Sequence, residues 1–161
     1  MMCFMDVDSP LGTLRLVETD GRLSHLVIGQ KGDFLKAPDS LKTKKETPLL
    51  LSAKTQLEEY FAGKRQEFFL PLAPAGTPFQ TKVWNALVEI PYGSTATYKD
   101  IAQRVDSPKG FRAVGGANNK NPIAIIIPCH RVVGADGSMV GYASGMEHKV
   151  FLLELEKNNS V

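Results

Sequence analysis

The chain has 161 residues, of which 43% are hydrophobic and 22% are charged, a composition typical of folded globular proteins and unlike that of disordered or fibrous chains. Its length allows one domain or two small ones. No apolar run approaches the ~18 residues that cross a bilayer, and we expect no signal peptide at the N-terminus. Two cysteines, Cys3 and Cys129, are too few for a disulfide framework, so we expect a cytoplasmic protein.

Positive charge is concentrated in one part of the chain, although the net charge is only +2. Residues 97–131 carry six basic and two acidic side chains, and no carboxylate occurs between Ser107 and Ala135. A basic surface of this kind suits a polyanion such as nucleic acid. The same pattern is typical of a solvated helical face, and charge alone leaves both interpretations open.

The first half of the chain predicts β-structure followed by a helix. Gly12–Glu18 alternates in polarity, and Asp20-Gly21 predicts a tight turn into a further strand. Residues 31–47 are polar and predict a loop. Thr47, which precedes a proline, predicts the start of a helix, and Gly63 predicts its end.

A proline-rich segment predicts a boundary between two domains. Gln66–Leu70 predicts one more strand, and residues 71–78 have the composition of a linker. We therefore place an N-terminal domain at residues 1–75 and a C-terminal domain at residues 78–161.

The second half predicts three helices. Capping-box spacing beginning at Thr77 and again at Thr97 predicts the first two. A short turn at residues 107–110 separates the second from a third helix over about residues 111–118. Two short helices joined by a tight turn indicate a helix-turn-helix.

Two consecutive glycines, Gly115 and Gly116, lie inside that third helix. Each costs ~1 kcal/mol of helix stability relative to alanine. Small residues permit close approach by a ligand or by another helix, and the sequence leaves both explanations open.

Cys129 is the residue that most strongly indicates chemistry. It follows the apolar run Ile123–Ile127, which predicts a buried strand, in the sequence Pro128-Cys129-His130-Arg131. A lone cysteine is usually a small buried apolar residue. A neighbouring base and a positive charge are what an activated sulfur nucleophile requires, so both interpretations stay open on these residues alone.

The segment Ile127-Pro-Cys-His-Arg-Val-Val133 resembles the active-site motif of the O6-alkylguanine-DNA alkyltransferases. The similarity covers about residues 78–157 and includes Thr77–Trp84, Pro91–Gly93, Thr97–Ala102, Arg112–Gly115, Asn121-Pro122, Gly141-Tyr142 and Lys149–Leu153. Residues 1–75 resemble the family in length and in the order of β-structure and helix. The resemblance implies an α/β (α+β) two-domain fold. Its N-terminal domain would be a ribonuclease-H-like sheet with a helix, and its C-terminal domain would be helical and similar to a winged helix-turn-helix.

The resemblance implies DNA repair by direct damage reversal. Such a methylated-DNA–protein-cysteine S-methyltransferase flips O6-alkylguanine out of duplex DNA. It transfers the alkyl group irreversibly to its own cysteine, here Cys129, once per molecule. The resemblance implies that His130 deprotonates Cys129 through a water and that Glu156 orients His130. Glu154 is the other nearby carboxylate.

The resemblance also implies roles for residues that handle DNA. Tyr98 would press on the target phosphate and stabilise the departing guanine, and Asn121 would join the recognition helix to the active-site strand. Arg112 would replace the flipped guanine in the stack. Tyr142, Ala143 and Ser144 would form the loop that closes over the extrahelical base. Beyond the resemblance, the positive charge of Lys109, Lys120 and Arg131 predicts contacts with phosphate, and the small size of Gly115 and Gly116 predicts close approach to the duplex.

The expected partner is double-stranded DNA containing O6-alkylguanine, bound by a monomer without a cofactor. Cooperative binding along DNA is left open. The N-terminal domain offers only Cys3 and His25 as soft ligands, so we expect no metal. Acting on DNA, the protein would be associated with the nucleoid of a prokaryote or the nucleus of a eukaryote.

Three other classes of protein remain as alternatives. The first recognises alkylated bases without repairing them, but relatives of that type carry tryptophan where Cys129 stands. The second is a helix-turn-helix regulator that uses Cys129 as an alkylation or redox sensor. The third is a cysteine hydrolase built on Cys129, His130 and Glu156.

Overall fold

The computed structural model describes residues 2–29, 43–137 and 145–160. By its internal contacts the chain divides into two compact units, one of Met1–Pro74 with Pro122–Ala124 and the other of Ala75–Asn121 with Ile125–Val161. Within the described ranges, no helix is both long and apolar enough to span a membrane.

The first unit contains a three-stranded antiparallel sheet, which confirms the predicted β-structure. Its strands are β1 (Met2–Ser9), β2 (Gly12–Thr19) and β3 (Arg22–Gly29), in the order β1-β2-β3. The turn between β2 and β3 places Asp20 and Gly21 at φ of 51° and 82°. Both values are positive, as a two-residue hairpin turn of type I′ requires.

Helix α1 (Pro48–Phe61) packs against this sheet and begins where the sequence predicts. The Thr47 hydroxyl accepts a hydrogen bond from the Leu50 N–H at 3.1 Å and donates one to Glu18 at 2.6 Å. It therefore caps the helix and ties it to β2. The helix ends before Gly63, whose φ of +76° is readily adopted only by glycine among common residues.

Short extended segments form isolated bridges with both outer strands of the sheet and so cover part of each edge. The paired residues are Phe4 with Lys44, Leu23 with Leu72, and Leu26 with Ile123. The last pair explains why residues 122–124 belong to the first unit.

The strand predicted at Gln66–Leu70 is wrong. The side-chain amide of Gln56 on α1 binds the backbone of Phe69 instead, accepting its N–H at 2.9 Å and donating to its carbonyl at 3.2 Å. One glutamine thus supplies the donor and acceptor that a neighbouring strand would supply. Alternation of residue types cannot reveal such a replacement.

The second unit is mostly helical, as predicted. Its elements are α2 (Pro78–Val88), β4 (Ala96–Thr97), α3 (Tyr98–Arg104), α4 (Phe111–Asn119), β5 (Val132–Val133) and α5 (Met146–Asn159). Both predicted capping boxes are present: Thr77 pairs with Gln80, and Thr97 pairs with Asp100. Strands β4 and β5 pair in parallel. Helices α3 and α4 form the helix pair that the sequence indicates.

The strand predicted at Ile123–Ile127 is also wrong. Only Ile123 makes a bridge, and the following residues form turns with Ile125 at a φ of +72°. Positive φ is rare for a β-branched residue, so the surrounding structure holds this conformation. Ile123, Ile125 and Ile127 are all buried. The apolar run therefore marks burial correctly, but periodicity alone does not separate a buried strand from a buried turn.

We predict that Thr47→Ala destabilises the protein by about 1 kcal/mol, because it removes the cap of α1 and the bond to Glu18. Thr55→Ala is the matched control. Thr55 is an exposed residue in the middle of the same helix, and its hydroxyl donates to the Leu51 carbonyl one turn earlier. This control should change stability by less than about 0.5 kcal/mol. Urea unfolding of both variants measures the difference, and equal losses would contradict the capping role.

Candidate active site

Two consecutive tight turns hold Cys129. Pro128, at φ −81° and ψ 65°, is the central residue of an inverse γ-turn in which the Cys129 N–H bonds the Ile127 carbonyl at 2.8 Å. A 3-10 turn over Cys129–Arg131 follows directly. Cys129 is 5% exposed. The proline thus fixes the backbone next to Cys129. The 3-10 turn that follows fixes the positions of His130 and Arg131 relative to Cys129.

Two asparagines from the end of α4 hold the backbone on either side of this turn. The Asn121 side-chain amide donates to the Ile127 carbonyl at 2.7 Å, and that of Asn118 donates to the Cys129 carbonyl at 3.3 Å. Sequence reasoning singled out Asn121 but missed Asn118. Their spacing of three residues at a helix end is a signal that could have found it.

His130, Arg131 and Glu156 form a buried charged cluster. His130 Nε2 lies 2.6 Å from Glu156 Oε2, and Arg131 binds both carboxylate oxygens at 2.8 and 3.0 Å. The Gly93 N–H reaches the same carboxylate at 3.4 Å. The structure therefore pairs Glu156 with His130, whereas Glu154 is exposed.

The ionised Glu156 sets the tautomer of His130. A carboxylate accepts hydrogen bonds, so Nε2 carries the proton and Nδ1 keeps its lone pair. Nδ1 is buried and has no hydrogen-bond partner among the described residues. His130 can therefore accept a proton at Nδ1.

Burial and charge set the protonation states of this pair. Desolvation acts to raise the pKa of Glu156, but the hydrogen bonds and charges of His130 and Arg131 outweigh it and lower the pKa from 4.5 to about 2. Burial lowers the pKa of His130 from its ordinary value, and the bond to Glu156 opposes this change without cancelling it. At neutral pH the site therefore holds a carboxylate and a neutral imidazole.

The structure contradicts the expected DNA contact of Arg131. Its side chain is 9% exposed, and besides Glu156 it binds the Ile90 carbonyl at 2.7 Å. All of its strong donors point inward, so the guanidinium is not presented to a phosphate. The expectation for Arg131 rests on its charge alone. Charge in a sequence does not distinguish a surface cation from the partner of a buried carboxylate.

Lys149 is a site residue that sequence reasoning missed. It is fully buried on α5 and donates to the Val132 carbonyl at 2.5 Å. Burial lowers the pKa of Lys149, and negative charge on Cys129 opposes that change. Lysine on a helix is normally solvated, and only its position one and two turns before the buried Leu152 and Glu156 indicates otherwise.

Tyr98 also lies within electrostatic reach of Cys129. Burial raises the pKa of Tyr98, and negative charge on Cys129 raises it further. A Cβ placed on Gly115 would contact the Tyr98 ring at 3.8 Å, so Tyr98 lies beside α4. The second unit thus brings together Cys129, His130, Tyr98, Lys149 and Glu156.

The remaining predicted residues fall outside this cluster. Lys109, Arg112, Gly116 and Lys120 are exposed on or beside α4. Tyr142, Ala143 and Ser144 lie outside the described residues. Across the part of the chain that is described, no three His, Cys, Asp or Glu side chains are grouped so that they could hold a metal ion.

Comparison with known proteins identifies the family. Residues 78–158 match the family described as 6-O-methylguanine DNA methyltransferase, DNA binding domain. Residues 4–74 match 6-O-methylguanine DNA methyltransferase, ribonuclease-like domain. The chain belongs to the 6-O-methylguanine DNA methyltransferase family. The resemblance stated from the sequence and the two-domain fold class are thereby confirmed.

Curated members of this family match nearly the whole chain. A methylated-DNA–protein-cysteine methyltransferase of Methanosarcina barkeri is 51% identical, over 95% of this chain and 96% of the relative. The constitutive methylated-DNA–protein-cysteine methyltransferase of Bacillus subtilis is 47% identical, over 98% of this chain and 96% of the relative.

Solved structures agree with the family assignment. The crystal structure of Mycobacterium tuberculosis OGT in complex with DNA matches at a TM-score of 0.89 and 42% identity, over 98% of this chain and 94% of that chain. The O6-methylguanine-DNA methyltransferase of the archaeon Pyrococcus kodakaraensis matches at 0.73 and 27%, over 97% and 99% of the two chains.

We predict that Glu156→Gln destabilises the protein at neutral pH by about 3 kcal/mol, because it leaves His130 and Arg131 without their counter-charge. A carboxyl with a lowered pKa stabilises the fold fully above its ordinary value of 4.5 and loses that contribution as pH falls toward about 2. The difference between wild type and variant should therefore shrink on acidification below that ordinary value.

Urea unfolding at several pH values, from neutral to about pH 3, measures this dependence. Glu154→Gln is the control on the same helix, because Glu154 is exposed. A wild-type advantage over Glu156→Gln that stays constant across this range would refute the proposed charge state.

Proposed function

We propose that this protein repairs O6-alkylguanine in double-stranded DNA by transferring the alkyl group to Cys129. The observation that carries the proposal is a buried His130 imidazole, directly after Cys129 in the chain, whose Nε2 bonds Glu156 and whose Nδ1 has no hydrogen-bond partner among the described residues. This site lies in a chain whose relatives are named methylated-DNA–protein-cysteine methyltransferases. That name describes transfer from DNA to a protein cysteine, and it disfavours the regulator alternative.

The reaction begins with ionisation of the thiol. An ordinary cysteine has a pKa of ~8.5 and is mostly protonated at neutral pH. His130 accepts the thiol proton at Nδ1, directly or through a water, while Glu156 stabilises the imidazolium that forms at Nε2. The thiolate then attacks the alkyl carbon.

The S–C bond forms as the C–O6 bond breaks, and the electron pair stays on guanine O6. The purine takes up a proton, for which we assign the Tyr98 hydroxyl as donor because Tyr98 lies within electrostatic reach of Cys129. His130 releases the thiol proton to water, and the Tyr98 phenolate regains a proton from water. A thioether has no easy leaving group, so the protein accepts one alkyl group and does not turn over.

Positive charge from Lys149 supports the thiolate. Its buried ammonium donates to the Val132 carbonyl and lies within electrostatic reach of Cys129, and low dielectric strengthens the attraction to a thiolate. Glu156 and Lys149 lie on the same buried face of α5. One helix thus provides the counter-charge for the base and the counter-charge for the nucleophile.

Access to the base requires that it leave the duplex, because O6 inside the stack cannot meet the sulfur. We assign Arg112 to fill the vacated position, since its long planar cation is exposed on α4. Gly116 leaves the exposed side of that helix without a side chain, whereas Gly115 lies against the Tyr98 ring. A Cβ on Gly116 would meet no atom within 4 Å, so no packing inside the protein requires this glycine.

Phosphate contacts should provide most of the affinity, because alkylation damage occurs in any sequence. Lys109 and Lys120 are exposed near the two ends of α4 and can make such contacts. Because its substrate is duplex DNA, the protein should be located in the cell compartment that contains the DNA.

We predict a plateau of one alkyl group per chain when the protein is incubated with excess duplex containing labelled O6-methylguanine. Mass spectrometry should find the group on Cys129. Cys129→Ser should transfer none yet still bind DNA, and Cys3→Ser is the matched control that should transfer normally. Product beyond one equivalent, or label on Cys3, would contradict the proposal.

We predict that Gly116→Ala stabilises the free protein by up to ~1 kcal/mol, through helix propensity, while weakening duplex binding about tenfold by obstructing close approach. Ala113→Gly is the control on the same exposed helix, since it lowers helix propensity without adding atoms. Thermal unfolding and a DNA titration measure the two effects. Unchanged affinity in Gly116→Ala would show that DNA does not approach this surface.

A further inference from the structure

A large apolar side chain is exposed beside Arg112. Phe111 is the first residue of α4 and is 52% exposed. Its ring has no aromatic or cation–π partner among the described residues. The mechanism above gives it no role, and isolated exposed apolar residues are common. The surroundings of Phe111 on the helix are what make it informative.

The exposed face of α4 has a stepped shape. Residues four apart lie above one another on a helix, so Phe111 aligns with Gly115 and Arg112 aligns with Gly116. Each row therefore has a large exposed side chain in the first turn and a glycine one turn later. The surface is open at Gly116, whereas the Tyr98 ring lies 3.8 Å from the position of a Cβ on Gly115. Helical side chains lean toward the N-terminus, so the two large groups project toward the start of the helix, while Gly116 leaves the backbone of the following turn uncovered.

This shape suits a partner whose surface can lie against the backbone at Gly116 and can admit the side chains of Phe111 and Arg112. The occupant is duplex DNA, the partner assigned to the same helix. Lys109 and Lys120 are exposed near the two ends of α4, and their positive charge complements the phosphates of DNA. An aromatic ring finds an apolar surface of its own size in DNA only on the face of a base, and proteins that open base steps do insert phenylalanine there.

We propose that Phe111 is a second wedge, whose ring stacks on the base pair next to the position that Arg112 fills. This inference rests on the proposed function, and it adds a residue that lowers the cost of extruding the damaged nucleotide. Arg112 compensates for the missing base, and Phe111 compensates for lost stacking on its neighbour. The role concerns duplex DNA only, because a free base is already unstacked.

The test compares Phe111→Ala and Phe111→Leu with wild type on two substrates. One is duplex containing O6-methylguanine, and the other is free O6-benzylguanine. Phe111→Ala should slow transfer from duplex about tenfold, the scale of one base–aromatic stack, and leave the reaction with the free base unchanged. Phe111→Leu should be intermediate, because it keeps an apolar group without a ring face.

Phe69→Ala is the matched control. Phe69 is also an exposed phenylalanine, 73% accessible, and lies in the first unit. Its loss should change neither reaction. Equal slowing of both substrates by Phe111→Ala would show a structural role and overturn the proposal, as would undiminished transfer from duplex.

A second readout does not depend on alkyl transfer. Undamaged duplex carrying 2-aminopurine should change its fluorescence when wild-type protein binds and stacks beside that base. Phe111→Ala, at saturating protein, should lose this change. A full signal from Phe111→Ala would refute stacking. If wild-type protein transfers no alkyl group, the proposed function fails, while the fluorescence still decides whether Phe111 enters the stack.

Discussion

The carboxylate of Glu156 is the interaction on which the active site depends. It is fully buried, yet it accepts hydrogen bonds from His130, Arg131 and the Gly93 backbone. An isolated buried carboxylate would be prohibitively unstable. The bidentate guanidinium compensates for its lost hydration and keeps it ionised, and the ionised carboxylate in turn fixes the imidazole tautomer. The base, its orientation and its charge state therefore follow from one ion pair.

Around this pair, two helices approach the same backbone turn from different sides. Asn118 in the last turn of α4 and Asn121 just after that helix donate their side-chain amides to the carbonyls of Cys129 and Ile127. Helix α5 provides Lys149 and Glu156. The two asparagines thus hold the backbone that carries Cys129, while the charged groups around Cys129 and His130 come from α5, which is distant in sequence.

The outer face of α4 obeys a different constraint from its inner face. Inside, Val114, Ala117 and Asn118 are buried, and Trp84 donates to the Ala117 carbonyl at 2.9 Å. On the outer face, a Cβ on Gly116 would meet no atom within 4 Å, so packing within the protein does not require glycine at this position. An exposed glycine in a helix lowers its intrinsic stability, so Gly116 carries a cost that no contact within the second unit explains.

The sequence by itself determined the local features: the caps at Thr47, Thr77 and Thr97, the turn at Asp20-Gly21, and the proximity of Cys129 to His130. These depend on neighbours within a few residues, where spacing and residue type suffice. The resemblance to a family added Glu156 and Arg112. Only the tertiary structure decided that Arg131 faces Glu156 and not solvent, that Lys149 is buried, and that Ile123–Ile127 turns while Gln56 replaces a strand at Phe69. Each of these outcomes depends on a partner far along the chain, and a polar side chain in a sequence does not show whether water or a distant group will satisfy it.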